Sequence, residues 1–448
     1  MTENSSLGRI LFITLGCAKN EVDTDRMRAL LLASGFEETF DVEDADAAIV
    51  NTCSFLASAT EESVEATLEL AESRAEGVRS CPIIMCGCVP SRYGDDLPEQ
   101  LPEVAAFVKA EDEDGIVVVV AGVLGVSVGA PAFDAGAMLR TVQGASAFVK
   151  ISEGCDRFCA FCAIPYIRGR YHSRPADEIV SEVSALMERG VREVVLIGQD
   201  TGIWGSDFDD DETLAKLLVR VAEVVRPYNG WVRVLYLQPE GMTDELIAAI
   251  RDTPEVLPYI DIPIQHCSAR VLKAMGRSGD PQQLHELFAK LRSEIPGMVL
   301  RTTGMAGFPG ETDEEADELF DFIESEEFDY TSVFAYSQEE GTRAAAMDGQ
   351  VDEETKLERT QRLIDLVEEL GFSATAKHVG ERVEVIVDGV EETEDGVELI
   401  GHAWFQAPDC DGAVHIASGE AAVGDIVTVD LVDSFCYEMV GEIVKEVM

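Results

Sequence analysis

The sequence predicts a multidomain α/β protein in three parts. These are a parallel α/β sheet domain over 7–126, a partial (β/α)6 barrel over 146–372 and a small antiparallel β-barrel over 377–448. Two patterns predict this architecture: apolar strand-like runs alternate with helical stretches in two series, and the final segment alternates apolar and polar residues between turns. A chain of 448 residues is also too long for one ordinary hydrophobic core.

The first series predicts a parallel sheet with crossover helices. Its predicted strands are RILFITLG (9–16), AAIVNTC (47–53) and PIIMCGC (82–88), and its helical stretches include EVDTDRMRALLLASG (21–35) and EESVEATLELAESRAEG (61–77). The Gly/Ala-rich stretch over 127–145 is predicted to be a linker.

The second series contains six predicted strands separated by helical stretches such as PADEIVSEVSALMERG (175–190). The strands are AFVKIS (147–152), EVVLIGQ (193–199), VRVLYLQ (232–238), YIDIPIQ (259–265), VLRTTGMAGF (299–308) and YTSVFAY (330–336). Six βα repeats in place of eight predict an incomplete barrel that is open on one side. In such barrels the carboxyl ends of the strands carry the chemistry.

The last part reads as a small β-barrel because RVEVIVDG (382–389) and DIVTVDLVD (425–433) alternate apolar and polar residues. Residues 377–448 contain 3 Lys and Arg against 17 Asp and Glu, and the whole chain carries a net charge of −52. Such a field repels nucleic-acid phosphate and favours a basic protein partner, so direct nucleic-acid binding is not expected. A general acidity typical of salt-adapted organisms is the alternative.

The sequence contains no apolar run near 20 residues, and its opening lacks a basic n-region followed by an apolar h-region. We therefore expect a cytoplasmic protein with no membrane contact. Eleven cysteines without an export signal favour metal or redox chemistry over disulfides.

Three cysteines lie just past the first predicted barrel strand, in the stretch GCDRFCAFC: Cys155, Cys159 and Cys162. Structural zinc sites take four protein ligands, whereas three thiolates on a four-iron cubane leave one iron open for a small molecule. The spacing therefore indicates an iron–sulfur cluster with a free coordination position. A zinc loop with a distant fourth ligand is the alternative.

GCDRFCAFC resembles the signature of radical S-adenosylmethionine (SAM) enzymes, in which an aromatic residue, here Phe161, precedes the last cysteine. The continuation AIPYIRGR (163–170) resembles that of the methylthiotransferases. The resemblance implies that Cys155, Cys159 and Cys162 are catalytic and hold a [4Fe–4S] cluster. It also implies that the reduced cluster cleaves bound SAM to methionine and a 5′-deoxyadenosyl radical.

Cys17, Cys53 and Cys88 each follow a predicted strand of the first part, where parallel strand ends share one sheet edge. From the residues alone they are either ligands of a second cluster or small buried hydrophobes, the role preferred for Cys81 and Cys86. Their contexts resemble the N-terminal domain of methylthiotransferases, which implies a second, sulfur-delivering [4Fe–4S] cluster on Cys17, Cys53 and Cys88.

Four stretches resemble the RimO branch of this family: TLGCAKNEVDTDRM (14–27), NTCSFLASATEES (51–63), RTTGMAGFPGET (301–312) and WFQAPDCDGAVHI (404–416). The resemblance implies a C-terminal TRAM domain and methylthiolation of the β-carbon of an aspartate in small-subunit ribosomal protein twelve. Two SAM molecules are implied per turnover, and both clusters are implied to face one cavity. The alternatives are methylthiolation of a tRNA adenosine and a non-catalytic iron–sulfur electron carrier. The sequence indicates neither the sulfur donor nor the electron donor.

Polar residues and glycines at predicted strand ends are candidates for holding SAM at the barrel mouth. With Phe161, the candidates are Gln199, Gln265, Arg301 and Gly307, and Gln238 also ends a strand. The alternative for each is turn chemistry or loop capping. His266 is a lone histidine for which a structural role is preferred.

Overall fold

The computed structural model describes residues 6–75, 81–129, 140–142, 144–393 and 396–444. Most of the predicted linker over 127–145 lies outside these residues. The chain divides into two compact units: the first comprises Met1–Val142, Glu153–Arg157 and Cys162–His172, and the second comprises Gln143–Ser152, Phe158–Phe161 and Ser173–Met448. Among the helices built from described residues, none combines the length and the apolar character needed to cross a bilayer.

The first unit is built on a five-stranded, fully parallel sheet in the order β2-β1-β3-β4-β5. Its strands are β1 (Arg9–Thr14), β2 (Glu37–Thr39), β3 (Ala47–Thr52), β4 (Ile83–Gly87) and β5 (Val104–Lys109). Its helices are α1 (Ala18–Ala33), α2 (Ala57–Ala75), α3 (Cys88–Tyr93), α4 (Leu97–Gln100) and α5 (Ile116–Leu124). The central strands β3 and β4 are buried on both faces, which is why they read as unbroken apolar runs.

Short elements surround the cysteine loop that follows the first barrel strand. They are β6 (Ser146–Lys150), β7 (Ser152–Glu153), α6 (Ile164–Ile167) and β8 (His172–Ser173). Of these, α6 belongs to the first unit and β6 to the second.

The second unit contains all six predicted barrel strands, in two parallel sheets ordered β10-β9-β6 and β11-β12-β13. Its further strands are β9 (Glu193–Ile197), β10 (Trp231–Val234), β11 (Tyr259–Gln265), β12 (Val299–Ala306) and β13 (Tyr330–Ala335). The helices are α7 (Ala176–Glu188), α8 (Leu214–Val225), α9 (Asp244–Asp252), α10 (Ala269–Met275), α11 (Pro281–Glu294), α12 (Asp313–Glu326) and α13 (Glu353–Ala376). The backbone N–H of Leu237 donates to the carbonyl of Asp261 at 3.0 Å and joins the two sheets.

Local side-chain caps begin most of these helices. The N-cap residue accepts a hydrogen bond from the backbone N–H three residues on in α8, α9, α11, α12 and α13, where the caps are Thr213, Thr243, Asp280, Thr312 and Asp352. Such caps satisfy one of the N–H groups that a helix start leaves free. They fix where each strand-to-helix loop ends.

The end of the chain forms a closed barrel in the order β14-β15-β16-β18-β17. Its strands are β14 (Arg382–Thr393), β15 (Gly396–Ala403), β16 (Val414–Ser418), β17 (Ile426–Ser434) and β18 (Met439–Ile443). The predicted fold class is confirmed, with one difference in this barrel. The pair β16–β18 is parallel, while the other four strand pairs are antiparallel.

Within the second unit the closed barrel packs against the amino ends of the β9–β13 strands. Glu193, the first residue of β9, contacts His402 of β15, whose other ring nitrogen lies 2.6 Å from Asp388. Glu193 also accepts a hydrogen bond from Arg233 of β10 at 2.6 Å. Farther along this interface, Asp411 accepts a hydrogen bond from Tyr259. These buried polar pairs fix the closed barrel at the end of the strands opposite to the predicted mouth.

Candidate functional site

Three cysteines of the first unit lie at one edge of its parallel sheet. Cys17 follows β1 as the N-cap residue of α1, Cys53 follows β3, and Cys88 follows β4 as the first residue of α3. Strands β1, β3 and β4 are parallel neighbours, so their carboxyl ends meet at the same edge. The structure thus brings together the three cysteines that the sequence singled out there.

The loop after β1 and the first turn of α1 lie close to all three sulfur atoms. Asn20 Oδ1 lies 3.8 Å from Cys17 Sγ and 4.0 Å from Cys88 Sγ. Gly16 has a φ of +102°, and a Cβ added there would lie 2.6 Å from the Cβ of Cys53. Only glycine allows both this backbone conformation and this close approach.

The surroundings of these cysteines disfavour a thiolate that has no cation beside it. Burial raises the pKa of Cys53 and, together with repulsion from the neighbouring cysteines, raises the pKa of Cys88 to about 11, while Arg168 opposes the rise for both. Buried thiols of this kind ionise together when a metal centre binds, because the metal replaces their protons. The donor set therefore fits an iron–sulfur cluster.

A buried arginine adjoins this set. The side chain of Arg168 is 2% exposed, and it donates hydrogen bonds to Asp23 Oδ2 at 2.7 Å and to Asn20 Oδ1 at 2.8 Å. Cys88 is buried together with Ala163 and Ile167. Ala163 directly precedes α6 and Ile167 is its last residue, so both lie on the same segment as Arg168. The segment that follows Cys162 is therefore packed directly against the sheet-edge cysteines.

The loop that carries the other cysteine set begins with a tight backbone contact. Gly154 has a φ of +73°, and a Cβ there would lie 2.1 Å from the carbonyl oxygen of Arg170. Cys155 is buried, and its N–H donates to the carbonyl of Gly169 at 3.2 Å. Cys159 and Cys162 are partly exposed. Two of the three cysteines are thus accessible to a small molecule.

The middle of this loop, 158–161, belongs to the second unit and is held by contacts within it. The N–H of Ala160 donates to the carbonyl of Met275 at 2.7 Å, and the carbonyl of Ala160 accepts from Ala344 at 2.8 Å. Phe161 packs against a buried cluster that includes Phe308 and Tyr336. Phe161 is therefore a packing residue of the loop, and the predicted cofactor contact stays a prediction.

Other candidate residues lie at the carboxyl ends of barrel strands. Gln199 follows β9, Gln265 ends β11 with a φ of +67°, and Gly307 follows β12 with a φ of +78°. A Cβ on Gly307 would lie 2.2 Å from Lys356 Cγ, so this turn requires glycine. Gln238 contributes an Oε1 atom that is buried and accepts no hydrogen bond from the described residues. A buried polar atom of this kind fits a mouth that binds a polar cofactor.

Arg301, also a candidate, lies away from the carboxyl end of its strand. It is the third residue of β12, near the amino end, and its guanidinium is engaged by Asp411 at 3.1 Å, Asp261 at 3.3 Å and Ser332 at 2.8 Å. The mouth lies at the other end of the strand, about 16 Å away at 3.3 Å per residue. Arg301 therefore stabilises the contact with the closed barrel, and its predicted cofactor contact stays a prediction.

Asn20 and Arg168 were not predicted as site residues from the sequence, although both lie in the stretches that resemble the family. The available signal was their position: Asn20 lies three residues after Cys17, and Arg168 six residues after Cys162. His266 has the structural role that was preferred, because burial lowers its pKa to about 4 and its Nδ1 accepts hydrogen bonds from the N–H groups of Cys267 and Ser268.

The partial barrel and its cysteine loop define a radical SAM enzyme. Residues 149–323 match the family model of the radical SAM superfamily, 9–109 match Uncharacterized protein family UPF0004, and 379–444 match the TRAM domain. Among solved structures, the chain is similar to TsrM, a radical SAM methyltransferase from Kitasatospora setae, with a TM-score of 0.55 and 13% identity over 73% of this chain and 72% of that one. This likeness concerns the fold.

Full-length relatives narrow the class. The ribosomal protein uS12 methylthiotransferase RimO of Pelobacter propionicus is 43% identical over 98% of this chain and 99% of its own length. That of Trichlorobacter lovleyi is 41% identical over 99% of this chain and 100% of its own length. The chain belongs to the RimO family of radical SAM methylthiotransferases. As a radical SAM enzyme it uses a [4Fe–4S] cluster and SAM, which removes the non-catalytic electron carrier from the alternatives.

Proposed function

We propose that this enzyme adds a methylthio group to the β-carbon of an aspartate in ribosomal protein uS12, in the cytoplasm, and consumes two SAM molecules per product. The names of its full-length relatives support the substrate. The observation that carries the sulfur-transfer chemistry is the meeting of Cys17, Cys53 and Cys88 at one sheet edge, against the segment that follows Cys162.

The two cysteine sets have separate roles in this proposal. Cys155, Cys159 and Cys162 hold the cluster that binds SAM, and Cys17, Cys53 and Cys88 hold a second [4Fe–4S] cluster. When bound, the clusters supply the electron that cleaves SAM and the sulfur that is inserted, and the second SAM supplies the methyl group. That both clusters face one cavity remains a prediction; the packing of Cys88 against Ala163 supports it.

The remaining residues at the barrel mouth have the role of binding and orienting SAM. The turn at Gly307 lets the backbone after β12 lie against Lys356, and the N–H of Gly307 donates to Glu311 at 3.0 Å, which fixes the shape of that turn. Gln238 Oε1 would be available to accept a hydrogen bond from the amine or ribose hydroxyls of bound SAM. Gln199 and Gln265 extend the same edge.

The charge of the C-terminal barrel favours a basic protein over RNA as substrate. Residues 377–448 carry 17 Asp and Glu against 3 Lys and Arg. Phosphate binding requires the opposite balance. A Lys- and Arg-rich ribosomal protein is attracted by such a surface, and the attraction weakens as salt is added.

The test is an anaerobic assay of the purified, iron- and sulfide-reconstituted enzyme with SAM and a reductant, on uS12 and separately on tRNA. Mass spectrometry should locate a methylthio group on one aspartate of uS12. One 5′-deoxyadenosine and one S-adenosylhomocysteine are expected per product. The variants Cys162→Ala and Cys88→Ala should both abolish product. Cys436→Ala is the matched control, since this cysteine lies in the C-terminal barrel and donates to a backbone carbonyl.

Methylthio-adenosine as the product, with unmodified uS12, would overturn the substrate. Full activity of Cys88→Ala would overturn the second cluster.

A further inference from the structure

The buried guanidinium of Arg168 links the segment after Cys162 to the sheet-edge cysteines. We propose that Arg168 is a positioning residue that sets the reduction potential of the second cluster without ligating it. This inference rests on the proposed function, because it requires a cluster on Cys17, Cys53 and Cys88.

The first part of the argument is geometric. Asn20 Nδ2 donates to the carbonyls of Leu15 and Thr52, both at 2.9 Å, so the amide orientation is fixed and Oδ1 faces the sulfur atoms. That same oxygen accepts a hydrogen bond from Arg168 Nη2 at 2.8 Å and lies within 4.0 Å of the Sγ atoms of Cys17 and Cys88. Arg168 therefore holds a side chain whose oxygen lies within 4.0 Å of two of the three sulfur atoms.

The second part concerns charge. The Arg168 side chain is 2% exposed, so water screens it little, and a guanidinium keeps its charge at every accessible pH. Its ion-pair partners include Asp23 at 2.7 Å and Glu153 at 3.7 Å. A fixed cation beside a cluster stabilises the reduced, more negative state, and partners outside the ligand set tune potentials in this way.

The third part concerns where this cation lies in the sequence. Arg168 follows Ile167, the last residue of α6, and Ile167 is buried with Cys88. The cation that acts on the second cluster therefore comes from the segment that follows the first cysteine set. A change in that segment should alter the potential of a cluster that it does not ligate.

The experiment isolates the second cluster in the full-length chain by replacing Cys155, Cys159 and Cys162 with alanine, then reconstituting with iron and sulfide. The midpoint potential is measured by electron paramagnetic resonance during a redox titration. In this background Arg168→Gln should shift the midpoint to a more negative value by at least tenfold in the equilibrium constant, or 59 mV for one electron. Arg168→Lys, which keeps the charge, should stay near the parent.

Arg170→Gln is the matched control, because this arginine lies two residues away with its side chain 74% exposed, and it should leave the midpoint unchanged. If the Arg168→Gln variant binds no iron, the midpoint potential of the Asp23→Asn variant provides the test instead. This variant keeps the cation and removes the paired carboxylate, so the midpoint should move to a more positive value.

An Arg168→Gln variant with a full cluster and an unmoved midpoint overturns this inference and leaves the proposed function intact. So does an unmoved or more negative midpoint in Asp23→Asn. A parent that binds no cluster overturns the second cluster of the proposed function and this inference together.

Discussion

Replacing Arg233 by methionine should destabilise the second unit by about 3–5 kcal/mol, the usual loss when one partner of a buried ion pair is removed. Arg233 and Glu193 are both 0% exposed, and their Nε–Oε1 distance is 2.6 Å. Burial alone would raise the pKa of Glu193, but Arg233 and His402 outweigh it and hold the pKa below its usual value. Without Arg233, one of the two cations that offset burial of this carboxylate is lost.

The ring of Tyr259 adds to this loss, because the Arg233 guanidinium lies 4.5 Å from its centroid. A desolvated cation–π contact contributes about 2 kcal/mol. The variant Arg233→Met with Glu193→Gln removes both charges at once, so it should be more stable than Arg233→Met alone. Arg226→Met is the surface control. The side chain of Arg226 is 57% exposed in its pair with Glu255, so solvent screens the pair and we expect little change in stability.

Tryptophan fluorescence during urea unfolding measures this free energy directly. The three tryptophans of the chain, Trp204, Trp231 and Trp404, all belong to the second unit, and the ring of Trp231 lies 6.0 Å from that of His402. A loss of less than about 1 kcal/mol in Arg233→Met would refute the reasoning. So would a double variant that is less stable than the single one.

Three further predictions concern other features. Burial alone would lower the pKa of His402, but the neighbouring carboxylates outweigh it and raise this pKa to about 9. The protonated histidine should therefore stabilise the fold fully below pH 6.5, and this stabilisation should be lost as the pH rises to about 9. The expected loss is about 3 kcal/mol, at about 1.4 kcal/mol per pKa unit. Gly307→Ala should destabilise the second unit by at least about 1–2 kcal/mol, from its φ of +78° and the clash with Lys356, and should slow SAM cleavage, followed as 5′-deoxyadenosine. Gly87→Ala, whose Cβ would lie 2.2 Å from Asn51 Oδ1, should displace the start of α3 and reduce bound iron by about four atoms per chain, measured by iron analysis.

Each of these three predictions can be checked with a control variant of the same chain. In His402→Gln the loss of stability between pH 6.5 and 9 should disappear, and an unchanged pH profile would count against the histidine. Gly122→Ala is the control for both glycine variants, because its φ is ordinary and a Cβ there meets nothing within 4 Å. If Gly307→Ala cleaved SAM at the wild-type rate, or Gly87→Ala kept all its iron, the steric argument at that position would be wrong.

The elements predicted well from sequence are those whose own residues determine them. Strands β3, β4, β9 and β10 are buried along their whole length, so they appear as mainly apolar runs. The cysteines at the sheet edge could be grouped because parallel strand ends share an edge. The strands β2 and β5 were missed: β2 has three residues, none of them buried, and β5 is an edge strand of mixed burial.

What could not be predicted depends on partners far away in the chain. Arg301 resembles a cofactor ligand in its motif, but its partner Asp411 lies 110 residues further on. The parallel pairing of β16 with β18 depends on closure of the whole barrel. The run IVVVVAGVL is rich in β-branched residues, yet it forms α5, because its buried face packs on the sheet and Gly125 ends it in the left-handed conformation.

The interleaving of the two units in the chain limits how the gene can be divided. A fragment that ends at Val142 would lack Cys162–His172, and with it the guanidinium beside Asp23 and the apolar cover of Cys88. A fragment that begins at the barrel would carry that segment without the sheet on which it packs. Neither fragment should fold into a soluble protein when it is expressed alone. Mixing the two purified fragments should restore solubility only if residues 162–172 pack again on the sheet of the first unit.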